Sequence, residues 1–203
     1  MVAVVDYGVG NLFSLCSSLE AIGAETVVTD DPAVLSSADR IILPGVGAFG
    51  DAADKLRERG LFDVLRQLAN EGKPLLGICL GMQLLFEKGF EYGEHEGLGL
   101  IRGEVRPIAE VIPADLKIPH IGWNALHFTG EKSPIFRYLN EGDFVYFVHS
   151  FYGKNEDGSV IATAEYGAHL TAAVGRGNVF GCQFHPEKSG NVGLKILKAF
   201  CEV

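Results

Sequence analysis

The chain has 203 residues, 47% hydrophobic and 21% charged, enough for one domain over residues 1–203 with an ordinary apolar core. Its 17 basic and 26 acidic residues give a formal charge of −9 without any run of Lys and Arg, which argues against nucleic acid or a membrane surface and for small-molecule or protein partners. The cysteines at 16, 79, 182 and 201 form no C-x-x-C pair, the opening Met1–Asp6 lacks the features of a signal peptide, and no apolar stretch reaches the ~18 residues of a membrane span, so a reduced, cytoplasmic setting is expected.

Apolar runs alternate with helical patterns through the first half: strand Val2–Val5, helix Asn11–Ile22, strand Glu25–Val28, strand Arg40–Leu43, a helical stretch Asp51–Asn70 divided at Gly60, strand Leu75–Ile78 and helix Met82–Lys88. That alternation predicts an α/β fold, an open and mostly parallel twisted sheet with helices on both faces. From about Val105 the pieces are short and β-rich, including Phe144–Val148, Val160–Glu165, Leu170–Val174 and Val179–Phe184. No linker precedes them, so they are expected as antiparallel or mixed additions to the same sheet. Ser189 is expected to cap a closing helix that buries Val192, Ile196 and Phe200 and exposes Lys195, Lys198 and Glu202.

Chemistry is expected where strands end, because reactive groups gather at the carboxyl ends of an open α/β sheet. Gly77-Ile78-Cys79-Leu80-Gly81 has the spacing of a nucleophile elbow, a strained strand-to-helix turn that holds one side chain out, here a thiol facing a helix N-terminus. Phe184-His185-Pro186-Glu187 supplies an imidazole and a carboxylate on one face of an extended segment. Cys79, His185 and Glu187 are thus the parts of a thiol acyl-transfer triad: nucleophile, base and orienter. Cys16, Cys182 and Cys201 carry no such frame and read as small core residues.

Pro44-Gly45-Val46-Gly47 also follows a strand, but lacks the endings of a phosphate-binding loop. Its glycines suit an oxyanion hole, with the Val46–Gly47 peptide and the N–H of Leu80 as donors. Gln83, one helical turn beyond Cys79, can face the same cleft. No metal site is expected, since His185 and Glu187 have no third ligand at a usual spacing. His95, His120, His127 and His169 have no catalytic or metal-binding motif of their own and read as surface or packing residues.

The chain resembles the class I glutamine amidotransferases, and among them the glutaminase subunits of imidazole glycerol phosphate synthases. The resemblance runs nearly end to end. It is carried by Asp6-Tyr7-Gly8-Val9-Gly10-Asn11 with Ser14, Pro44-Gly45-Val46-Gly47, Gly77–Gln83, Pro119-His120-Ile121-Gly122-Trp123-Asn124, Tyr146-Phe147-Val148-His149-Ser150-Phe151, and Phe184-His185-Pro186-Glu187-Lys188-Ser189. It implies a flavodoxin-like sheet and hydrolysis of glutamine to glutamate and ammonia without a cofactor. The ammonia would pass to a separate (β/α)₈-barrel cyclase subunit that makes imidazole glycerol phosphate and an aminoimidazole carboxamide ribonucleotide in histidine biosynthesis. By position it implies glutamine-holding roles for Gly45, Gln83, Glu91 and the His149, Ser150 and Phe151 backbone, and a cyclase interface and ammonia exit at Asn11, Ser14, Trp123, Tyr146 and Lys188. A glutaminase serving a different synthase, or a non-catalytic relative of the same fold, are the rival readings. The freedom that Gly45 and Gly47 give the Val46 peptide further suggests an oxyanion hole left incomplete until the cyclase docks.

Overall fold

The computed structural model describes residues 1–155 and 157–203. The apolar runs Val2–Val5, Ile41-Ile42-Leu43 and Leu75–Ile78 in its first half become strand residues buried on both faces, as a parallel sheet covered by helices demands, while Thr26–Thr29 forms a half-exposed edge strand. In chain order these elements are β1 (Val2–Val5), α1 (Leu12–Ala21), β2 (Thr26–Thr29), α2 (Pro32–Ser37), β3 (Arg40–Leu43), α3 (Phe49–Glu58), α4 (Leu61–Asn70), β4 (Leu75–Ile78) and α5 (Leu80–Gln83). Gly60, in the left-handed region at φ 68°, separates α3 from α4 at the expected place. The second half contains β5 (Phe86–Gly89), β6 (His95–Glu96), β7 (Ile101–Pro107), β8 (His120–Ala125), β9 (His127–Phe128), β10 (Phe144–His149), β11 (Phe151–Lys154), β12 (Val160–Glu165), β13 (His169–Arg176), β14 (Val179–Cys182) and the closing α6 (Gly190–Cys201).

The main sheet has the order β2-β1-β3-β4-β14-β13-β12-β9. Its first five strands are parallel, and β13, β12 and β9 extend it antiparallel. Alternation along each strand divides the interior in two. Val2 and Val4 of β1 join Leu15, Leu19, Ile196 and Phe200 from α1 and α6, whereas Ala3 and Val5 join Phe49, Leu56 and Leu65 from α3 and α4. α6 buries Ile196 and Phe200 and exposes Lys195, Lys198 and Glu202 beyond or along its outer side, as expected, but only half-buries Val192 in its first turn.

Three expectations are corrected. Residues 82–88 do not form a helix: α5 ends at Gln83 and β5 begins at Phe86, pairing Phe86 with Ile101 and Lys88 with Glu104 of β7. A short apolar run carries no period of its own, and here a strand partner decides it. Phe144–His149 does not join the main sheet, because the side of β14 away from β4 is occupied by β13. Among the described residues it pairs with β8 alone, as a two-stranded ribbon. β11, β7, β5 and β6 make a separate four-stranded sheet. Finally, Ser189 precedes α6 but makes no side-chain cap; its Oγ is committed elsewhere, as described next.

Candidate active site

β3, β4 and β14 are adjacent and parallel, so their carboxyl ends open on the same edge. Register then brings distant residues together. Leu43 pairs with Gly77 and Ile78 with Cys182, which places the Pro44–Gly47 loop, Cys79 and Gln183–Glu187 side by side past three neighbouring strand ends. The Cys79 N–H donates to Cys182 O at 2.7 Å, fixing the turn.

Cys79 sits at φ 55°, ψ −111°, a backbone region that L-residues avoid. The glycines around it answer to packing: a Cβ on Gly81 would lie 1.8 Å from Leu43 O, and one on Gly77 2.5 Å from Gly81 O. α5 that follows is a single turn, much shorter than the helix that the nucleophile-elbow spacing suggests.

That imidazole is His185, buried at 2% exposure. Glu187 Oε1 accepts from His185 Nδ1 at 2.7 Å. A carboxylate only accepts, so Nδ1 carries the proton and Nε2 is left for the cysteine side. Burial is the largest influence on the ring and works against its charge, yet the Cys79 sulfur and the Glu187 carboxylate together outweigh it and raise its pKa to about 9. The backbone of His185 is held as firmly. Its N–H donates to Tyr146 O at 3.0 Å, while Ser189 Oγ donates to His185 O at 2.7 Å and accepts from Tyr146 N at 3.0 Å.

A cleft of about 320 Å³ opens over Cys79. Val46, Gly47, Leu80, Gln83, Glu91, His149, Ser150 and Phe151 line it with Cys79 and His185, so the expected oxyanion loop and all but one of the expected glutamine-holding residues share one cavity. Gly45 is the exception. It is buried against Tyr7 and Gly81 and lines a separate void of about 10 Å³ with Asn11, His185 and Glu187. Glu87, Lys88, Arg102, Glu104 and Lys154 line a larger groove of about 430 Å³, where the described lining residues include neither a cysteine nor a histidine.

A family model described as glutamine amidotransferase class-I matches residues 3–202. The chain belongs to the class-I glutamine amidotransferase family. It is 53% identical to the imidazole glycerol phosphate synthase subunit HisH of Aquifex aeolicus, over 97% of this chain and 94% of that one. It is 48% identical to the protein of the same name from Wolinella succinogenes, over the whole of both. The fold is shared more widely: a crystal structure of a glutamine amidotransferase superposes with TM-score 0.77 at 22% identity over 100% of this chain and 98% of its own. The structure of PurLQS from Thermotoga maritima does so at 0.75 with 24% identity, over 99% and 97%.

Two side chains that this class-I amidotransferase sets around its cysteine escape a motif-based reading. Gln183, wholly buried, places its Nε2 3.9 Å from Cys79 Sγ, while its Oε1 accepts from Gln83 Nε2 at 3.0 Å. Tyr7, also buried, donates its hydroxyl to Pro44 O at 2.8 Å and so anchors the loop that carries Val46. Burial foremost, and then the nearby Cys79, push its phenol well above the ordinary range, which keeps it a donor. Neither carries unusual chemistry: Gln183 was signalled only by directly preceding Phe184-His185, and Tyr7, though inside the Asp6–Asn11 motif, by nothing that assigns it a role.

The remaining expected residues lie outside the cleft. Asn11 is the N-cap of α1, its Oδ1 accepting from Ser14 N at 3.4 Å and its Nδ2 donating to Ser14 Oγ at 2.9 Å. Trp123 and Tyr146 pair across the β8–β10 ribbon with ring centroids 6.1 Å apart, and Lys188 Nζ stands 6.0 Å from the Tyr146 ring. Among the described residues no group of three or more His, Cys, Asp and Glu could hold a metal ion, and no helix is long and apolar enough to cross a membrane.

Proposed function

We propose that this chain is the glutaminase subunit of an imidazole glycerol phosphate synthase, working in the cytoplasm as one domain over residues 1–203 and as a heterodimer with a cyclase subunit. The observation that carries this reading is the placement of Cys79, His185 and Glu187 past adjacent parallel strands beside a cleft of about 320 Å³, roomy enough for an amino acid. Full-length likeness to proteins named as that subunit supports the choice of synthase.

The chemistry follows from the geometry. Cys79 passes its proton to His185 Nε2, and the sulfur attacks the side-chain amide carbon of glutamine. The oxygen that becomes negative is received by backbone N–H groups at Val46–Gly47 and Leu80. His185, with Glu187 stabilising its charge, returns the proton to the amide nitrogen; the C–N bond breaks and ammonia leaves a thioester. Water, deprotonated by the same imidazole, displaces the sulfur as glutamate. Glu91 in the cleft offers a carboxylate to the substrate's α-ammonium, and Gln83 and the 149–151 backbone close around its other end. The small void lined by Asn11, His185 and Glu187 would start the route for ammonia towards a cyclase interface of Asn11, Ser14, Trp123, Tyr146 and Lys188.

Cys79→Ala tests this directly in the complex. Glutamine-dependent product formation should fall at least ~10³-fold, while synthesis from an added ammonium salt continues, because only the internal ammonia supply is lost. Glutamine-driven turnover in the variant would remove Cys79 as nucleophile, and failure of the cyclase to respond to either nitrogen source would remove the choice of synthase.

A further inference from the structure

His120 and His149 form a buried pair that the triad does not use. His149 Nδ1 lies 2.8 Å from Phe151 O, and because a carbonyl only accepts, Nδ1 bears the hydrogen. Neutral His149 must then accept at Nε2, which is 2.9 Å from His120 Nδ1, so His120 donates there. His120 Nε2 becomes an acceptor in turn, 3.4 Å from Asn124 Nδ2. Asn124 cannot be turned over, since its Nδ2 also donates to Glu165 O at 2.8 Å and its Oδ1 accepts from Ala125 N at 2.8 Å. Burial holds both rings below the ordinary histidine range, His149 at about 4, so the neutral forms this pattern needs are the ones present near neutral pH.

The network ends in the cleft. Phe151 O also accepts from Gln83 Nε2 at 3.2 Å, and Gln83 Nε2 is shared with Gln183 Oε1, the residue whose amide approaches Cys79 Sγ. With its Nε2 used twice, Gln83 has its oxygen left for a bound molecule. Apolar rings could fill the space of the two histidines, sandwiched as His120 is between Phe147 and Tyr166 at centroid distances of 5.0 and 4.1 Å. Apolar rings could not supply the Phe151 carbonyl with a donor whose own orientation is fixed.

We propose that His120 is a positioning residue for the substrate: acting through His149, it sets the Phe151 carbonyl and with it the Gln83 amide that faces glutamine. This rests on the glutaminase reading above. Asn at position 120 can put a donor where Nδ1 stands but loses the ring stack; Phe keeps the stack but loses the donor. In the complex with the cyclase, His120→Phe should raise KM for glutamine about tenfold, the effect falling on KM rather than kcat, because a buried acceptor is left unpaired. His120→Asn should hold KM within about twofold while melting at a lower temperature. The opposite order, with Asn raising KM and Phe leaving it alone, would mean that His120 only packs and would overturn the proposal. Nitrogen-15 NMR of the unaltered, histidine-labelled chain gives a readout independent of any variant: both rings should show the neutral Nδ1–H tautomer, and an Nε2–H form at His149 would overturn it as well. Absence of glutamine turnover in the unaltered complex would instead refute the glutaminase reading, and the positioning role with it.

Discussion

Cys79 combines two demands on one residue, a side chain that must stand clear of the sheet and a backbone at φ 55° that resists any side chain. The strain is sustained by what surrounds it: the bond from Cys79 N–H to Cys182 O and the glycine contacts that fix the turn from both sides. Replacing the cysteine separates reactivity from strain. Cys79→Ala and Cys79→Gly both lose the sulfur, but only glycine is relaxed in this conformation, so Cys79→Gly should be the more stable of the two by about 1–2 kcal/mol. Chemical denaturation of the pair measures this difference. Equal midpoints would mean that the turn relaxes when the sulfur is gone, and that the elbow stores no strain of its own.

At the scale of elements, β10 and the start of β11 form the wall that joins the ribbon to the cleft, and His149 gives that wall a pH dependence. Burial above all, opposed by the bond to Phe151 O and aided by the nearby His120 and His185, lowers its pKa to about 4. The unfolded chain takes up this proton at about 6.5 and the folded chain does not, so unfolding binds protons between those values and stability falls as pH drops from about 6.5 to about 4. His185 acts in a different window: with its pKa raised to about 9, its contribution is complete below about 6.5 and is lost as pH rises towards 9. His149→Asn should therefore flatten the stability curve on the acid side by roughly 2–3 kcal/mol relative to the unaltered chain, and leave the alkaline side unchanged. Parallel curves for the two proteins would mean that His149 is protonated in the folded state.

This wall also marks how far the sequence could be read. The strands β1, β3 and β4, the Gly60 break and the cysteine and histidine turns were legible because each is a local pattern with a local cause. The partners were not. Whether residues 82–88 coil or extend depends on β7, and whether Phe144–His149 enters the main sheet depends on β13 already occupying the place beside β14. His120 and Gln183 remained ordinary for the same reason. Their roles lie in bonds to residues 29 and 104 positions away, and no spacing rule reaches that far.

For the whole molecule, the ribbon faces two ways. Val145, Phe147, His120 and His149 point inward and are buried, while Ile121, Trp123 and Phe144 leave more than half of their surface exposed on the other side. Tyr146 stands with them across from Trp123, and its backbone holds the His185 turn through both Tyr146 O and Ser189 Oγ. A partner seated on that face would press on the strands that hold the His185 turn. The oxyanion loop is equally open to influence, because Val46 is 44% exposed and Gly47, at φ 100°, permits a peptide orientation that other residues resist. If cyclase docking selects the state in which this peptide aims at the cleft, the free chain lacks one oxyanion donor for most of its lifetime, a deficit of ~10²–10³ in rate. Glutaminase activity of the isolated chain should accordingly lie below that of the ligand-bound complex by such a factor. If Trp123 and Lys188 belong to the proposed cyclase interface, Trp123→Ala and Lys188→Ala should shrink the stimulation without altering the slow activity of the free chain. Full activity in the isolated chain, or undiminished stimulation in both variants, would mean that the oxyanion loop is set by this chain alone and that the ribbon serves only to hold the two subunits together.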